Sequence, residues 1–280
     1  MVNYNGNIIS ETEISIAYNR SFLYGDGIFE TVKIVNGKIL FFEDHYFRLM
    51  AAMRIMRMEI PMTFTMEYLE QQILETARVS QSDAAARARL TVYREQGGLY
   101  LPQSKEVSFV ITAESIQIAK YVNNTNTYEV DLYKDFFVPT HLLSTLKTTS
   151  KQINITGSIY AAENGLQSCL LLNEHKNIVE ALSGNLFMVT GNQIVTPPLS
   201  DGCLNGIMRK QIISLLEKDT EYLFNVHSIS PFDLQKADEL FVTNVVSGVQ
   251  SVSKYRKKEF QSTVALKLVN KLNEQLDLLI

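Results

Sequence analysis

Apolar and polar positions along this chain follow two periods, and the switches between them mark the elements. Alternating apolar runs closed around Asn-Gly or Gly-Asn pairs predict tight hairpins: residues 2–9 about Asn5-Gly6, VKIVNGKIL about Asn36-Gly37, and the runs 186–189 and 194–195 about Gly191-Asn192. Further strands are predicted over 88–93 and 107–113, bracketing a loop over 94–105, and over CLLLN at 169–173 and 237–244. Helical spacing governs 42–58, where Phe47, Leu49, Met50, Met53 and Met56 offer an apolar face, and also 66–79 and 263–279. Two more helices are predicted: one from Ser150 to about Asn164, closed by Gly165, and one after Gly206 carrying Ile207, Ile212, Ile213, Leu215 and Leu216. Between residues 116 and 133 the pattern turns polar, YVNNTNTYEV, before Tyr128, Val130 and Leu132 open a second alternating sheet. The expectation is an α/β (α+β) protein with an N-terminal α/β domain over 1–120 and a C-terminal domain over 121–280.

Composition narrows the class. A chain of 280 residues with 46% hydrophobic content can bury sizeable cores. The net charge is −4 and Lys and Arg are scattered rather than striped, which speaks against nucleic acid as a partner. Cys169 and Cys203 have neither metal-ligand spacing nor the numbers of a disulfide framework, so no metal is expected and a reducing, cytoplasmic setting is. The start, MVNYNGNIIS, lacks a basic end and an apolar core, and no run approaches about 18 apolar residues, so neither a signal peptide nor a membrane span is expected.

Candidate chemistry concentrates in IVEALSGNLFMVTGNQIVTPPLSDGCLNGIMR, residues 178–209. Glu180 directly follows an apolar strand, and the small-residue turn Ser183-Gly184-Asn185 stands where a regular strand would continue. Pro197-Pro198 stops the hairpin, and Gly206 precedes a helix; a glycine there lets free backbone N–H groups approach an anion, and the helix dipole adds attraction. A phosphate suits such a site. Upstream, two glycines around an aspartate in YGDGIFET, residues 24–31, suggest an unusual backbone beside a pocket, with a surface turn as the plain alternative.

These motifs together resemble the class IV aminotransferase family, the pyridoxal 5'-phosphate (PLP) enzymes of fold type IV, which include branched-chain and D-amino-acid aminotransferases and aminodeoxychorismate lyase. The resemblance rests on E-x-x-S-x-N-L-F at Glu180, Ser183, Asn185, Leu186 and Phe187, on Thr196-Pro197, on G-I-M-R at 206–209, on YGDGIFET, and on H-x-x-R-L at His45, Arg48 and Leu49. It implies a two-domain, D-amino-acid-aminotransferase-like fold with PLP in the interdomain cleft. It makes Lys147 the lysine that links covalently to the cofactor and Glu180 the carboxylate that keeps the cofactor ring nitrogen protonated. Arg48 and the backbone at Ile207, Met208, Asn244 and Val245 become the phosphate ligands, Ser183 and Asn185 further cofactor-binding residues, and Tyr24 a residue on the substrate side. Lysine is the right residue because its neutral amine condenses with an aldehyde, and burial and nearby cations favour that neutral form. Lys151 is a nearby competitor, but the distance to Gly165 and the CLLLN strand favours Lys147. His45 reads as a packed or hydrogen-bonded histidine. Arg89 is a candidate for carboxylate recognition, with a structural salt bridge as the alternative.

The family implies two reactions. A transaminase moves an amino group between an amino acid, here branched-chain-like, and a 2-oxo acid; aminodeoxychorismate lyase releases pyruvate and 4-aminobenzoate. The loop YREQGGLYLPQ lacks the R-x-H element of D-amino-acid aminotransferases, and it departs from the lyase form at Glu95 and Leu99. T-N-x-x-S-G at 243–248 and G-I-M-R lean the other way. The transaminase leads and the lyase is kept beside it; a non-catalytic binding protein on the same fold is remote, since it would need neither Lys147 nor Glu180. The resemblance also implies a homodimer.

Overall fold

The asparagine-glycine pairs turn their strands as expected. In the computed structural model, which describes residues 1–82, 85–117, 120–122 and 126–279, Asn5 and Gly6 have φ of 51° and 88° and Asn36 and Gly37 have φ of 50° and 72°. These are the double positive values that a two-residue turn matched to strand twist requires. They join β1 (Val2–Tyr4) to β2 (Asn7–Ile9), and β3 (Gly27–Val35) to β4 (Lys38–Ile39). Between the hairpins lies a short helix, α1 (Arg20–Tyr24), closed by Gly25 at φ 65°.

The first of two units covers Met1–Ala119 together with Lys147–Ser150. After the second hairpin come α2 (Phe42–Ile55), α3 (Met66–Val79), β5 (Ala85–Arg94) and β6 (Val107–Ser115). The sheet order is β2-β1-β6-β5-β3-β4, its long strands antiparallel. Val32, Ile34, Val92 and Ile111 of the sheet are buried with Met53 of α2 and Ile73 of α3, so the two helices cover the apolar surface that the alternation predicts.

Helix α2 ends at Ile55, three residues short of the expected stop, and Arg57 takes φ 56°. The buried guanidinium of Arg94 explains the early stop: it donates to the carbonyls of Met56 at 2.8 Å and Arg57 at 3.0 Å, satisfying end-of-helix acceptors that another turn would have consumed. Phe47, expected on the covered face, is exposed, and His45 is buried in its place.

The second unit covers Lys120–Leu146 and Lys151–Leu279; residues 123–125 of the expected linker lie outside the described residues. Its elements are β7 (Glu129–Val138), α4 (Gln152–Glu163), β8 (Ser168–Asn173), β9 (Ile178–Ala181), β10 (Asn185–Thr190), β11 (Gln193–Thr196), α5 (Ile207–Leu216), β12 (Leu223–Val226), β13 (Glu239–Asn244), β14 (Gly248–Val252), β15 (Lys254–Tyr255), β16 (Lys258–Glu259) and α6 (Thr263–Leu279). One sheet runs β12-β11-β10-β13-β14 and the other β16-β15-β7-β8-β9. Leu170, Leu172 and Ile178 of the second sheet share a core with Leu186, Leu240 and Val242 of the first. The strand expected over 237–244 begins only at Glu239, because Asp238 is spent on the neighbouring turn, its carboxylate accepting the Gly191 N–H at 2.7 Å.

Lys147, expected with the C-terminal domain, groups with the first unit. The reason is backbone pairing: Phe29 N–H donates to the Lys147 carbonyl at 2.8 Å, Thr149 N–H donates to Gly27 O at 2.9 Å, and Ile28 faces Thr148 in an antiparallel bridge. Four residues from the middle of the sequence thereby extend the edge of β3.

Candidate active site

In the first unit the lysine stands beside an aromatic ring. Lys147 Nζ lies 4.6 Å from the centroid of Phe29, and the Arg89 guanidinium lies 3.7 Å from the same centroid. Residues 29 and 31 share one face of β3 by strand alternation, and the register sets Thr31 against Arg89 on β5, so this pairing follows from the ladder. Arg89 also donates from Nε to Thr91 Oγ1 at 3.1 Å, and it makes no ion pair with a carboxylate among the described residues. Burial, and then the Arg87 charge, favour its neutral form slightly without threatening its charge at pH 7. Tyr24, at the end of α1, is partly exposed, with the Arg20 guanidinium 4.9 Å from its ring and the Tyr100 ring 6.0 Å away edge-on.

The other face of β3 carries Glu30. Its carboxylate accepts Arg48 Nε at 2.8 Å and Nη2 at 2.6 Å, and faces His45 Nδ1 at 2.7 Å. Burial would raise the Glu30 carboxyl, but the Arg48 charge and the hydrogen bonds from Arg48 and His45 outweigh it and hold the group at about 2. His45 is also held below its ordinary value, because burial disfavours its charged form more than Glu30 favours it. A neutral His45 with its Nδ1 proton on Glu30 leaves Nε2 as a bare acceptor, and that nitrogen is buried without a hydrogen-bond partner among the described residues. Arg48 is therefore a fixed fork whose first partner is a protein carboxylate. Glu30 is the residue that reading the sequence missed. H-x-x-R spacing puts His45 and Arg48 on one helix face, but nothing in the pattern says which strand position meets them.

In the second unit, Glu180 at the end of β9 is tied down by its Oε2, which accepts Leu204 N–H at 3.0 Å and the Asn185 side-chain amide at 3.5 Å. Asn185 donates again to the Leu204 carbonyl at 2.8 Å, so one side chain braces both the carboxylate and the segment leading to α5. The turn that makes this possible reverses over Ala181 and Gly184, and Ser183 is exposed within it. A side chain at Gly184 would place its Cβ 2.4 Å from the Thr243 carbonyl oxygen. Gly184→Ala is accordingly expected to cost about 1–3 kcal/mol, because the atom in the way is backbone and the turn or β13 must move; the urea midpoint measures it, and an unchanged midpoint would show that the turn has slack.

Helix α5 starts at Gly206 with no side-chain cap, so the first-turn N–H groups, including those of the buried Ile207 and Met208, have no acceptor of their own kind. A Cβ at Gly206 would lie 2.0 Å from Asn185 Oδ1. At the end of β13, which pairs Thr243 with Asn185, the Asn244 side chain accepts Val246 N–H at 3.0 Å and Ser247 N–H at 2.9 Å, closing a turn of converging donors. The hydroxyl of Thr243 is buried and lacks a partner among the described residues, and Val245 is fixed through its carbonyl by the Tyr121 hydroxyl at 2.8 Å. Burial and the neighbouring Glu180 push the Cys203 thiol up to about 12, so it stays protonated beside this array.

Comparison with known proteins decides the family. The sequence profile described as amino-transferase class IV matches residues 27–255. The chain belongs to the class IV aminotransferase family. Among relatives of this class IV aminotransferase, the D-alanine aminotransferase of Staphylococcus haemolyticus is 23% identical over 260 residues, covering 89% of this chain and 87% of its own. Two solved structures show the fold. The branched-chain aminotransferase of the thermophilic archaeon Thermoproteus uzoniensis, solved with norvaline, superposes with a TM-score of 0.86 at 23% identity, over 97% of this chain and 93% of that one. The 4-amino-4-deoxychorismate lyase of Pseudomonas aeruginosa does so with a TM-score of 0.84 at 21% identity, over 99% and 100%. The mixed α/β architecture of this class IV aminotransferase is that of fold type IV. No helix among its described residues is long and apolar enough to cross a membrane, and no group of His, Cys, Asp and Glu among them suits a metal ion.

Proposed function

We propose that this class IV aminotransferase is a PLP-dependent transaminase moving an amino group between a branched-chain-like amino acid and a 2-oxo acid. The observation that carries the reading is the pairing of Lys147 and Arg89 over the Phe29 ring. An amine that can exchange with a substrate amine stands one ring away from a cation that can take the substrate's carboxylate, which is the arrangement an α-amino acid needs. The residues also fit the cofactor. Uncapped first-turn N–H groups on α5 and the unsatisfied Thr243 hydroxyl suit a phosphate, and the braced carboxylate of Glu180 suits a protonated ring nitrogen.

When bound, PLP supplies a ring that withdraws electrons from the substrate Cα. This chain's own residues do the rest. Lys147 would take up the substrate Cα proton as a general base and give a proton back as a general acid. Glu180 holds the proton on the ring nitrogen, and its carboxylate is kept in place by Leu204 N–H and Asn185. Arg48, oriented by Glu30, and the backbone at Ile207, Met208, Asn244 and Val245 hold the phosphate, with Ser183 in the turn that supports them. Arg89 and Tyr24 orient the substrate. We further propose a homodimer, and a cytoplasmic setting in keeping with the two free, buried cysteines.

Aminodeoxychorismate lyase remains the second reading, favoured by the Asn244 turn of the T-N-x-x-S-G segment. Glu95, where the lyase form has a glycine, accepts the Ser108 hydroxyl, and Leu99 stands where that form has an arginine. The visible spectrum of the PLP-loaded protein separates the two. A violet band that bleaches with L-glutamate, a branched-chain or a D-amino acid, with turnover that depends on a 2-oxo acid, is the expected result. Pyruvate release from aminodeoxychorismate with no donor changing the band would establish the lyase, and no band at all would remove Lys147 from its role.

A further inference from the structure

A second buried cluster in the first unit serves the loop over 94–105. Arg20, the first residue of α1, is 3% exposed, and its Nε donates to Asp26 at 2.8 Å. Its Nη1 faces three carbonyls of one turn: Gly97 at 3.0 Å, Gly98 at 3.3 Å and Leu99 at 2.7 Å. The other side of the Asp26 carboxylate is held by Arg94, at 3.0 Å from Nε and 3.2 Å from Nη2. Burial would raise the Asp26 carboxyl, but hydrogen bonds from Arg94 and Arg20 bring it below its ordinary value, so both guanidiniums face an anion at neutral pH.

The turn so anchored is built against its own apolar residues. Gly97 and Gly98 take φ of 110° and 75°, and a Cβ at Gly98 would sit 2.2 Å from the Leu101 carbonyl oxygen, so only glycine closes it. Its carbonyls point inward to Arg20, while Leu99, Tyr100 and Leu101 stand 76%, 91% and 84% exposed. A turn that served stability alone would bury those side chains. The same guanidinium stacks on Tyr24, whose ring meets Tyr100. Behind Asp26, the carbonyls of Gly25 and Gly27 accept the Thr149 hydroxyl at 3.0 and 3.2 Å, two residues from Lys147.

We infer that Arg20, braced by Asp26 and Arg94, is a positioning residue for substrate recognition: it fixes Tyr24 and the apolar turn 97–101 as one wall in register with the lysine segment. The inference rests on the transaminase reading of the same site. Arg20 touches neither substrate nor cofactor; it acts through Tyr24 and the turn. Lysine cannot replace it, because an ammonium cannot pair with Asp26 and also reach three carbonyls in a fixed fork.

The test uses the PLP-loaded enzyme with Arg20→Ala and Arg20→Lys. Loss of a charge-assisted anchor predicts a KM for the amino donor raised about tenfold or more in both variants, with kcat within about threefold and the cofactor band unchanged. An unchanged KM, rescue by lysine, or a fall in activity that tracks loss of the cofactor band would overturn the assignment. Because the chain contains no tryptophan, Tyr100→Trp adds a single indole whose anisotropy reports the turn without any reaction. Arg20→Ala should free that indole on the nanosecond scale, and unchanged anisotropy refutes the anchor. If the parent protein turns over no amino donor, the transaminase reading fails and this inference falls with it, even where the anisotropy shows the turn to be held.

Discussion

Lys147→Ala is expected to lower kcat by at least about 10³-fold, the range lost when a residue that serves as both nucleophile and general base is removed. The fold should survive. The neighbouring ladder contacts are made by backbone atoms, Phe29 N–H to Lys147 O and Thr149 N–H to Gly27 O, which alanine keeps. The approach of the side chain to the Phe29 ring is worth about 0.5–1 kcal/mol where partly exposed. Turnover and thermal unfolding measured on the same preparation separate the two effects. Lys151→Ala is the control, since Lys151 precedes α4 in the second unit while Lys147 is bound to β3. If Lys151→Ala removes turnover and Lys147→Ala does not, the roles are reversed.

Glu30→Gln is expected to give the largest loss of stability, on the order of 3 kcal/mol at pH 7, by leaving Arg48 with an uncharged partner in a buried setting. The pH dependence carries the diagnostic sign. Glu30 is held at about 2 against an ordinary value of 4.5. The folded state thus binds this proton less readily than the unfolded chain, and the stabilisation is present in full above about 4.5 and drains away as pH falls toward 2. His45, neutral by burial, adds a slope of the same sign that begins near its ordinary 6.5, because unfolding lets it take up a proton. Denaturant midpoints across pH 3 to 8 should therefore fall steadily on the acid side in the parent protein and more weakly in Glu30→Gln. Equal acid slopes in the two proteins would mean that the carboxylate does not hold this charge cluster together.

Much of the candidate site was legible because it is local. Glu180, Asn185 and the start of α5 lie within thirty residues, and the residue types there have few other uses: a carboxylate at a strand end, a small-residue turn, and an uncapped glycine before a helix. The structure joins them through Leu204 and Asn185 as direct neighbours. The loop departures at Glu95 and Leu99 were equally visible, whereas the anchoring of that loop was not. Arg20 stands some 77 residues from the carbonyls that it binds, and a lone arginine after a single asparagine looks like any solvated cation. The same holds for Glu30, which pairs across 18 residues with a helix whose spacing predicts apolar cover that includes Phe47.

Sequence alone determined what depends on neighbours along the chain: the asparagine-glycine hairpins, helices α3 and α6 to their ends, and the order of motifs that identifies a class IV aminotransferase. Those features are set by backbone freedom, side-chain period and capping, all of which act within a few residues. Tertiary structure decided the rest. It brought Lys147 out of its surrounding sequence to the edge of β3, put Arg89 and the lysine over one ring, gave Arg48 a carboxylate to hold, and ended α2 early under the guanidinium of Arg94. Each of these is an electrostatic or hydrogen-bonding choice among partners far apart in the chain, and such partners acquire definite distances only when the sheets have formed.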